Sequence, residues 1–189
     1  MKYYILDFEN NNDLFFSENV IIEPNDWLRN QSFGEPIIHD KVKIKLMQSS
    51  GVLHEYLANI HGLLILRKDV VDCIQNIQSS HFQKFKVEID KGSEQDYYFI
   101  HLCNHIDAII LEESDVVRAI PNIPVYDEIK NLTLDSSQIK NRHIFSIKGI
   151  PNKVAVSDKL KSELEKKCEL QITNFINCDG YHWKISPFT

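Results

Sequence analysis

Apolar and polar positions alternate along much of the first part of this chain, and the period of the pattern changes from segment to segment. Lys2–Phe8 alternates, with Tyr3, Ile5 and Asp7 on one face, which predicts a strand. Asn10-Asn11-Asn12-Asp13 has turn composition, and Leu14–Ile22 reads as a second strand closed by Glu23-Pro24-Asn25-Asp26. Trp27, Leu28 and Phe33 are the apolar anchors of an irregular section that runs to Gly34 and Pro36. In Ile37–Met47, Val42, Ile44 and Leu46 alternate with Lys41, Lys43 and Lys45, which predicts a strand with a basic solvent face. In Val52–Ile60 the spacing of Val52, Leu53, Tyr56, Leu57 and Ile60 shifts to a helical period, and Gly62 supplies a stop.

The pattern sharpens beyond residue 62. Leu63–Leu66 predicts a short strand. A helix follows from Lys68 or Asp69 to about Gln78, burying Val70, Val71, Ile74 and Ile77. Phe82–Ile89 is a strand and Asp90-Lys91-Gly92-Ser93 a hairpin-like turn. Tyr97–Ile110 is the densest aromatic and branched run, fitting a buried strand interrupted near Asn104 or His105. Pro121 and Pro124 mark a loop, Val125–Asp135 is extended, and Ser136–Asn141 turns. Arg142–Ile147 and Val154–Val156 are strands. Ser157-Asp158 caps a helix over Lys159–Lys167, with Leu160 and Leu164 inward. Leu170–Ile176 closes the series, with Trp183, Ile185 and Phe188 anchoring the tail.

These elements predict an α+β fold, a mixed or mainly antiparallel sheet with a few short packed helices. Leu64–Ile89 and Val154–Asn177 both read strand, cap, amphipathic helix, strand, with Asp69 and Asp158 in the same place. That echo is a degenerate duplication or a chance recurrence. The 189 residues suit one domain, 1–189, in which residues 1–60 are a candidate β-rich N-terminal subdomain.

Charge and cysteine usage narrow the function classes. The chain carries 27 acidic against 21 basic residues, a net charge of −6. A protein that tracks nucleic-acid phosphates needs a basic stripe instead, so no nucleic-acid partner is expected. Cys73, Cys103, Cys168 and Cys178 form no C-x-x-C pair and read as reduced thiols. Asp7 comes too early for a signal-peptide apolar region, and no apolar run reaches the ~20 residues that span a bilayer. A cytoplasmic protein with no membrane partner is expected.

Candidate chemistry is sparse. His54-Glu55…His61 has the wrong spacing for a zinc-binding helix, which needs histidines four apart, and reads as solvated polar residues around a helix. On a strand, His101, Cys103 and His105 share a face, so a metal site there, with Asp107 beside it, would make a small metal-dependent hydrolase. No further ligand cluster is visible, and a partly buried histidine pair is the plainer reading. Cys73 and Cys103 lack the neighbouring base and electropositive setting of a nucleophile. The chain has no G-x-S-x-G elbow, Walker loop or G-x-G-x-x-G, and its six glycines do not suggest a phosphate cradle, so no cofactor is expected. Asp107, Glu112, Glu113 and Asp115 admit three readings: paired catalytic carboxylates, a contact patch for a basic partner, or a solvated loop.

Four segments together resemble a bacterial immunity-protein family encoded beside polymorphic and contact-delivered toxins. They are Ile65-Leu66-Arg67-Lys68-Asp69-Val70-Val71-Asp72-Cys73-Ile74; Tyr97–His101 with Ile106-Asp107-Ala108-Ile109-Ile110 and Glu112-Glu113-Ser114; Ile144-Phe145-Ser146-Ile147-Lys148-Gly149; and Val154–Leu164 with the strand after it. The resemblance covers the C-terminal three-fifths, an immunity-like core over 61–189. Two departures stand out: Ser146, where the family usually has arginine, and a last strand, Gln171–Phe175, without the family's glycine. The resemblance implies a non-enzymatic protein that binds a cognate toxin and occludes its active surface. The carboxylates Asp107, Glu112, Glu113 and Asp115 are then the expected contact. The hydrolase built on His101, His105 and Asp107, and a non-catalytic scaffold module, stand as alternatives.

Overall fold

The run Tyr97–Leu102 (β8) lacks polar alternates because both of its faces are buried. In the computed structural model, which describes residues 1–8, 15–29, 34–39, 41–47, 51–103, 105–118, 126–150 and 152–184, it lies inside a five-stranded sheet. The other strands are β3 (Asn19–Glu23), β4 (Lys43–Met47), β6 (Ile65–Arg67) and β7 (Phe82–Ile89), in the order β3-β4-β7-β8-β6. β4 and β7 run parallel and the other neighbours antiparallel. Tyr97 and Phe99 enter a core cluster with Ile44, Leu46, Ile65 and Val87, while Ile100 and Leu102 enter another beneath a helix. A strand covered on both sides has no solvent face to mark with polar residues.

That helix is α1 (Lys68–Ile77), which buries Val70, Val71, Cys73 and Ile74. Its counterpart α3 (Asp158–Lys167) buries Leu160 and Leu164 and packs against it. Ser157 caps α3, its Oγ accepting from the Leu160 N–H at 3.2 Å, which satisfies one of the orphan donors of the first turn. Before α3 comes β12 (Val154–Ser157), part of a four-stranded antiparallel sheet. The other members are β1 (Tyr3–Phe8), β11 (Ile144–Ser146) and β13 (Thr173–Asn177), in the order β11-β12-β1-β13. The N-terminal strand thus fills the gap between two C-terminal ones, with Ile5 opposite both Ala155 and Ile176. One face of this sheet supplies Leu6, Val154 and Val156 to the core shared with both helices. The other supplies Tyr3, Ile5, Phe145 and Ala155 to a core closed by Tyr126, Ile129 and Leu132. These last come from or follow β10 (Tyr126–Asn131), the middle of a small sheet with β9 (Asp115–Arg118) and β14 (Trp183–Lys184). A parallel pair, β2 (Phe16–Ser17) with β5 (Ala58–Asn59), and a short helix α2 (Ser136–Ile139) complete the described elements, with a 3-10 turn over Asp26–Arg29.

The fold is α+β, with mixed and antiparallel sheets, as expected. Several local readings need correction. Val52–Ile60 is not helical: Tyr56 bridges Leu66, Ala58–Asn59 pairs with β2, and the chain reverses at Gly62, where φ is +62°. The Asn59 side chain ties this turn together, bonding the Leu57 and Leu63 carbonyls and the Leu63 N–H. Leu57 is wholly buried while Val52 and Ile60 are exposed, so the helical spacing of the apolar positions is coincidental. The strand predicted over Leu14–Ile22 divides into β2 and β3, and the one over Tyr97–Ile110 stops at Leu102. In both strand–helix–strand units an antiparallel strand lies between the two flanking ones, β8 between β6 and β7, β1 between β12 and β13. Asp69 is the second residue of α1 but Asp158 the first of α3, and a sequence repeat is not shown. Strands from residues 1–60 join both large sheets. The expectations placed on Asn10–Asp13, Phe33, Asn104, Pro121, Pro124, Ile185 and Phe188, and on the Trp27 side chain, lie outside the described residues. Among those residues no helix is long and apolar enough to cross a membrane.

Candidate functional site

Beyond β8 the chain crosses to the four-stranded sheet and continues alongside the end of β11. The Ile106 N–H donates to the Ser146 carbonyl at 3.0 Å, and the Lys148 N–H donates to the Ile106 carbonyl at 2.9 Å. Asp107 therefore sits at the surface, where its Oδ2 accepts from Lys148 Nζ at 2.9 Å. Both side chains are about half exposed or more, and such pairs contribute at most ~1 kcal/mol. The chain then pairs Ile109 with Leu134 and turns at Leu111–Glu113 into β9. Side-chain hydrogen bonds to the backbone fix that turn: the Thr133 N–H donates to Ser114 Oγ at 2.9 Å, and Thr133 Oγ1 donates to the Glu113 carbonyl at 3.3 Å.

The side chains of Glu112, Glu113 and Asp115 are left exposed on this held turn. No ion pair engages them among the described residues. The apolar Leu111 and Val117 beside them are 38% and 42% exposed. β9 is the outer strand of its sheet among the described residues. Of the four predicted contact residues, three thus share one turn and edge strand, while Asp107 stands apart in its own ion pair.

The histidines are placed differently. His101 is buried on β8 beside Phe99, and its Nε2–H donates to the Glu35 carbonyl at 2.6 Å. Burial holds its pKa below the usual 6.5, outweighing that bond. His105 is half-buried past the end of the strand, and burial, then the neighbouring His101, lower it too. Among the described residues no three His, Cys, Asp or Glu side chains converge to hold a metal ion. The four cysteines are buried free thiols, and burial pushes Cys168 and Cys178 up to about 12, away from nucleophilic character.

Three polar groups take structural places that the sequence does not foretell. Glu55, expected on a solvated helix face, is wholly buried. Its Oε1 accepts from the N–H groups of Gln171, Ile172 and Thr173 at 2.8–3.0 Å and from Thr173 Oγ1 at 2.7 Å. Burial alone would raise its pKa; the Thr173 hydroxyl and the Ile172 and Gln171 N–H groups outweigh it and hold the carboxyl below its usual range. Gln78 is the second, joining the end of α1 to β11 through its amide. The third is His143, whose Nδ1 lies 2.8 Å from Ser157 Oγ. A histidine against a serine suggests a nucleophile and its base, but Ser157 is fully buried and occupied as the cap of α3. Only the cap has a sequence signal, a serine followed by acid ahead of a periodic helix.

Acidification is expected to weaken the fold. His101, His105 and Glu55 all have folded pKa values below their ordinary ones, 6.5 for the histidines and 4.5 for Glu55. The unfolded chain therefore binds more protons as pH falls, so their stabilisation is complete above pH 6.5 and is lost in two stages, histidines first. Urea unfolding midpoints should fall between pH 7.5 and 5.5. In His101→Gln, which keeps a donor for the Glu35 carbonyl, that part of the fall should shrink; an unchanged slope would mean that His101 plays no part in it.

No curated protein matches the chain. A family model does, over residues 1–184, which takes in the first sixty residues as well as the segments after them. Its description is the immunity protein family Imm11, and the chain belongs to that family.

Proposed function

We propose that the protein binds a toxin encoded beside it and neutralises it by covering the toxin's active surface, acting by binding rather than by catalysis. The observation that carries this beyond family membership is the acidic turn. Glu112, Glu113 and Asp115 project from a backbone fixed by Ser114 and Thr133, with exposed Leu111 and Val117 among them. Apolar groups ringed by unpaired charge on rigid backbone suit a partner surface of opposite sign, and the charges steer encounter. Asp107, half engaged by Lys148, belongs to the rim of the same contact. The protein would act in the cytoplasm of the bacterium that makes the toxin.

Expression of the adjacent gene's product should kill cells lacking this protein and spare cells that have it. Reversing Glu112, Glu113 and Asp115 to lysine should slow association with that product at least tenfold at low salt, with unfolding unchanged. A harmless neighbour, or protection that never develops, would end the proposal. An unaffected association rate would move the contact elsewhere on the surface.

A further inference from the structure

At the other end of β11 from Asp107 lies a groove of about 470 Å³, between the α1–β7 connection and the α2–β11 connection. Its walls carry Ser79, Ser80 and His81 on one side and Lys140, Asn141 and Arg142 on the other. Gln78 forms the tie beneath: its Nε2 donates to the Ser80 and Ile144 carbonyls, both at 3.1 Å, and its Oε1 accepts from the N–H groups of His143 and Ile144. With both ends of the amide engaged, the two walls are held at a set separation.

Two features mark this groove. Of the four non-glycine residues with positive φ among the described residues, three line it: His81 at 70°, Lys140 at 50° and Asn141 at 62°. Each such backbone costs of order 1 kcal/mol or more, less for asparagine, and strained positions gather at binding sites. The groove is also cationic in a protein of net charge −6. Lys140 and Arg142 make no ion pair among the described residues, although Arg142 is half-buried. Asp158 is the acid that bears on adjoining His143, and Lys159 opposes it there.

We infer that the groove receives an acidic polypeptide segment of the bound toxin, its carboxylates seated between Lys140 and Arg142. This rests on the toxin-binding reading above and extends it. The groove lies roughly 15 Å along β11 from Asp107 and Lys148, at ~3.3 Å per residue, well within the span of one ordinary interface. An interface with an acidic edge at one place and a basic groove at another admits a partner in one orientation, because the reversed pose sets like charges together.

The first test uses the isotope-labelled full chain and a capped tetraglutamate peptide, with tetralysine as the control. Saturable amide shifts confined to residues 79–81 and 140–143, weakened at least tenfold in Lys140→Glu/Arg142→Glu with unfolding unchanged, are expected. Shifts spread over Lys43, Lys45 and Lys84, no saturation, or equal affinity in the variant would overturn the inference. The second test measures binding of the adjacent gene's product. A loss of tenfold or more in the variant supports the groove. Equal binding by variant and wild type overturns it and leaves the toxin-binding reading standing. No binding by the wild type takes both away.

Discussion

Glu55→Ala is expected to lower the unfolding free energy by about 3–5 kcal/mol. The carboxylate receives three consecutive backbone N–H groups, those of Gln171, Ile172 and Thr173, at the entry to β13. Alanine would leave the Ile172 donor stranded in the interior, that residue being only 2% exposed, and free the partly buried Gln171 and Thr173 donors. The neighbouring contacts draw the same two regions together: His54 Nδ1 is 2.7 Å from Gln171 Oε1, the Arg67 N–H donates to the Glu55 carbonyl, and Arg67 Nη2 donates to the Glu169 carbonyl. Glu55 is thus a junction between the segment leading to the five-stranded sheet and a strand of the four-stranded one. Glu55→Gln keeps an acceptor at Oε1 but loses its charge, and should cost less, about 1–2 kcal/mol. Its Oε2 counterpart has no partner to lose, since that atom is buried without one among the described residues. Equilibrium unfolding in urea ranks the two variants. Equal, large losses would mean that a neutral oxygen acceptor cannot stand in for the charge; negligible losses in both would reassign the junction to His54 and Arg67.

Gln78→Ala should cost about 2–3 kcal/mol and loosen the basic groove as well. Among the described residues β11 is an edge strand, and the side-chain amide serves both the N–H and the C=O of Ile144 there as a neighbouring strand would. An analogous exchange joins Gln83 to Ile37, through bonds of 2.7 and 2.9 Å. Gln78→Glu should be no milder than alanine, because it sets a carboxylate against the Ser80 and Ile144 carbonyls in place of a donor. Hydrogen exchange at the His143 and Ile144 amides distinguishes this from a general loss of stability. Those two should exchange faster in excess of any change in amides deep in β8.

What the sequence made legible follows the range of the interactions concerned. α1, α3, β7 and β12 were readable because an apolar stripe or a cap is a local property, complete within about ten residues. β8 was readable as buried, since a run without polar alternates leaves no face fit for solvent. Val52–Ile60 misled for the same local reason: its apolar spacing matches a helix, while the Asn59-braced turn and the pairing with Leu66 are decided by residues outside the window. Sheet order was beyond reach, because nothing near Tyr3–Phe8 announces partners in Val154–Ser157 and Thr173–Asn177. Of the candidate contact, the acids were visible as a cluster of charge, but the fixed turn that sets Glu112, Glu113 and Asp115 apart from Asp107 depends on Thr133 and Lys148. The groove had no composition signal: its cations come from one loop and its opposite wall from another, about sixty residues earlier.

The placement of β1 between β12 and β13 sets a schedule for synthesis. The strand is made well ahead of both of its hydrogen-bonding partners, which follow more than 140 residues later. At ~5–20 residues per second that interval is roughly ten to thirty seconds, during which Tyr3–Phe8 has both edges open. The five-stranded sheet can assemble within the first 102 residues, but the four-stranded one closes only when β13 has been made. Until β11 and β12 have been made, the nascent chain has no partner for β1, so the surroundings of β11 take shape late in synthesis.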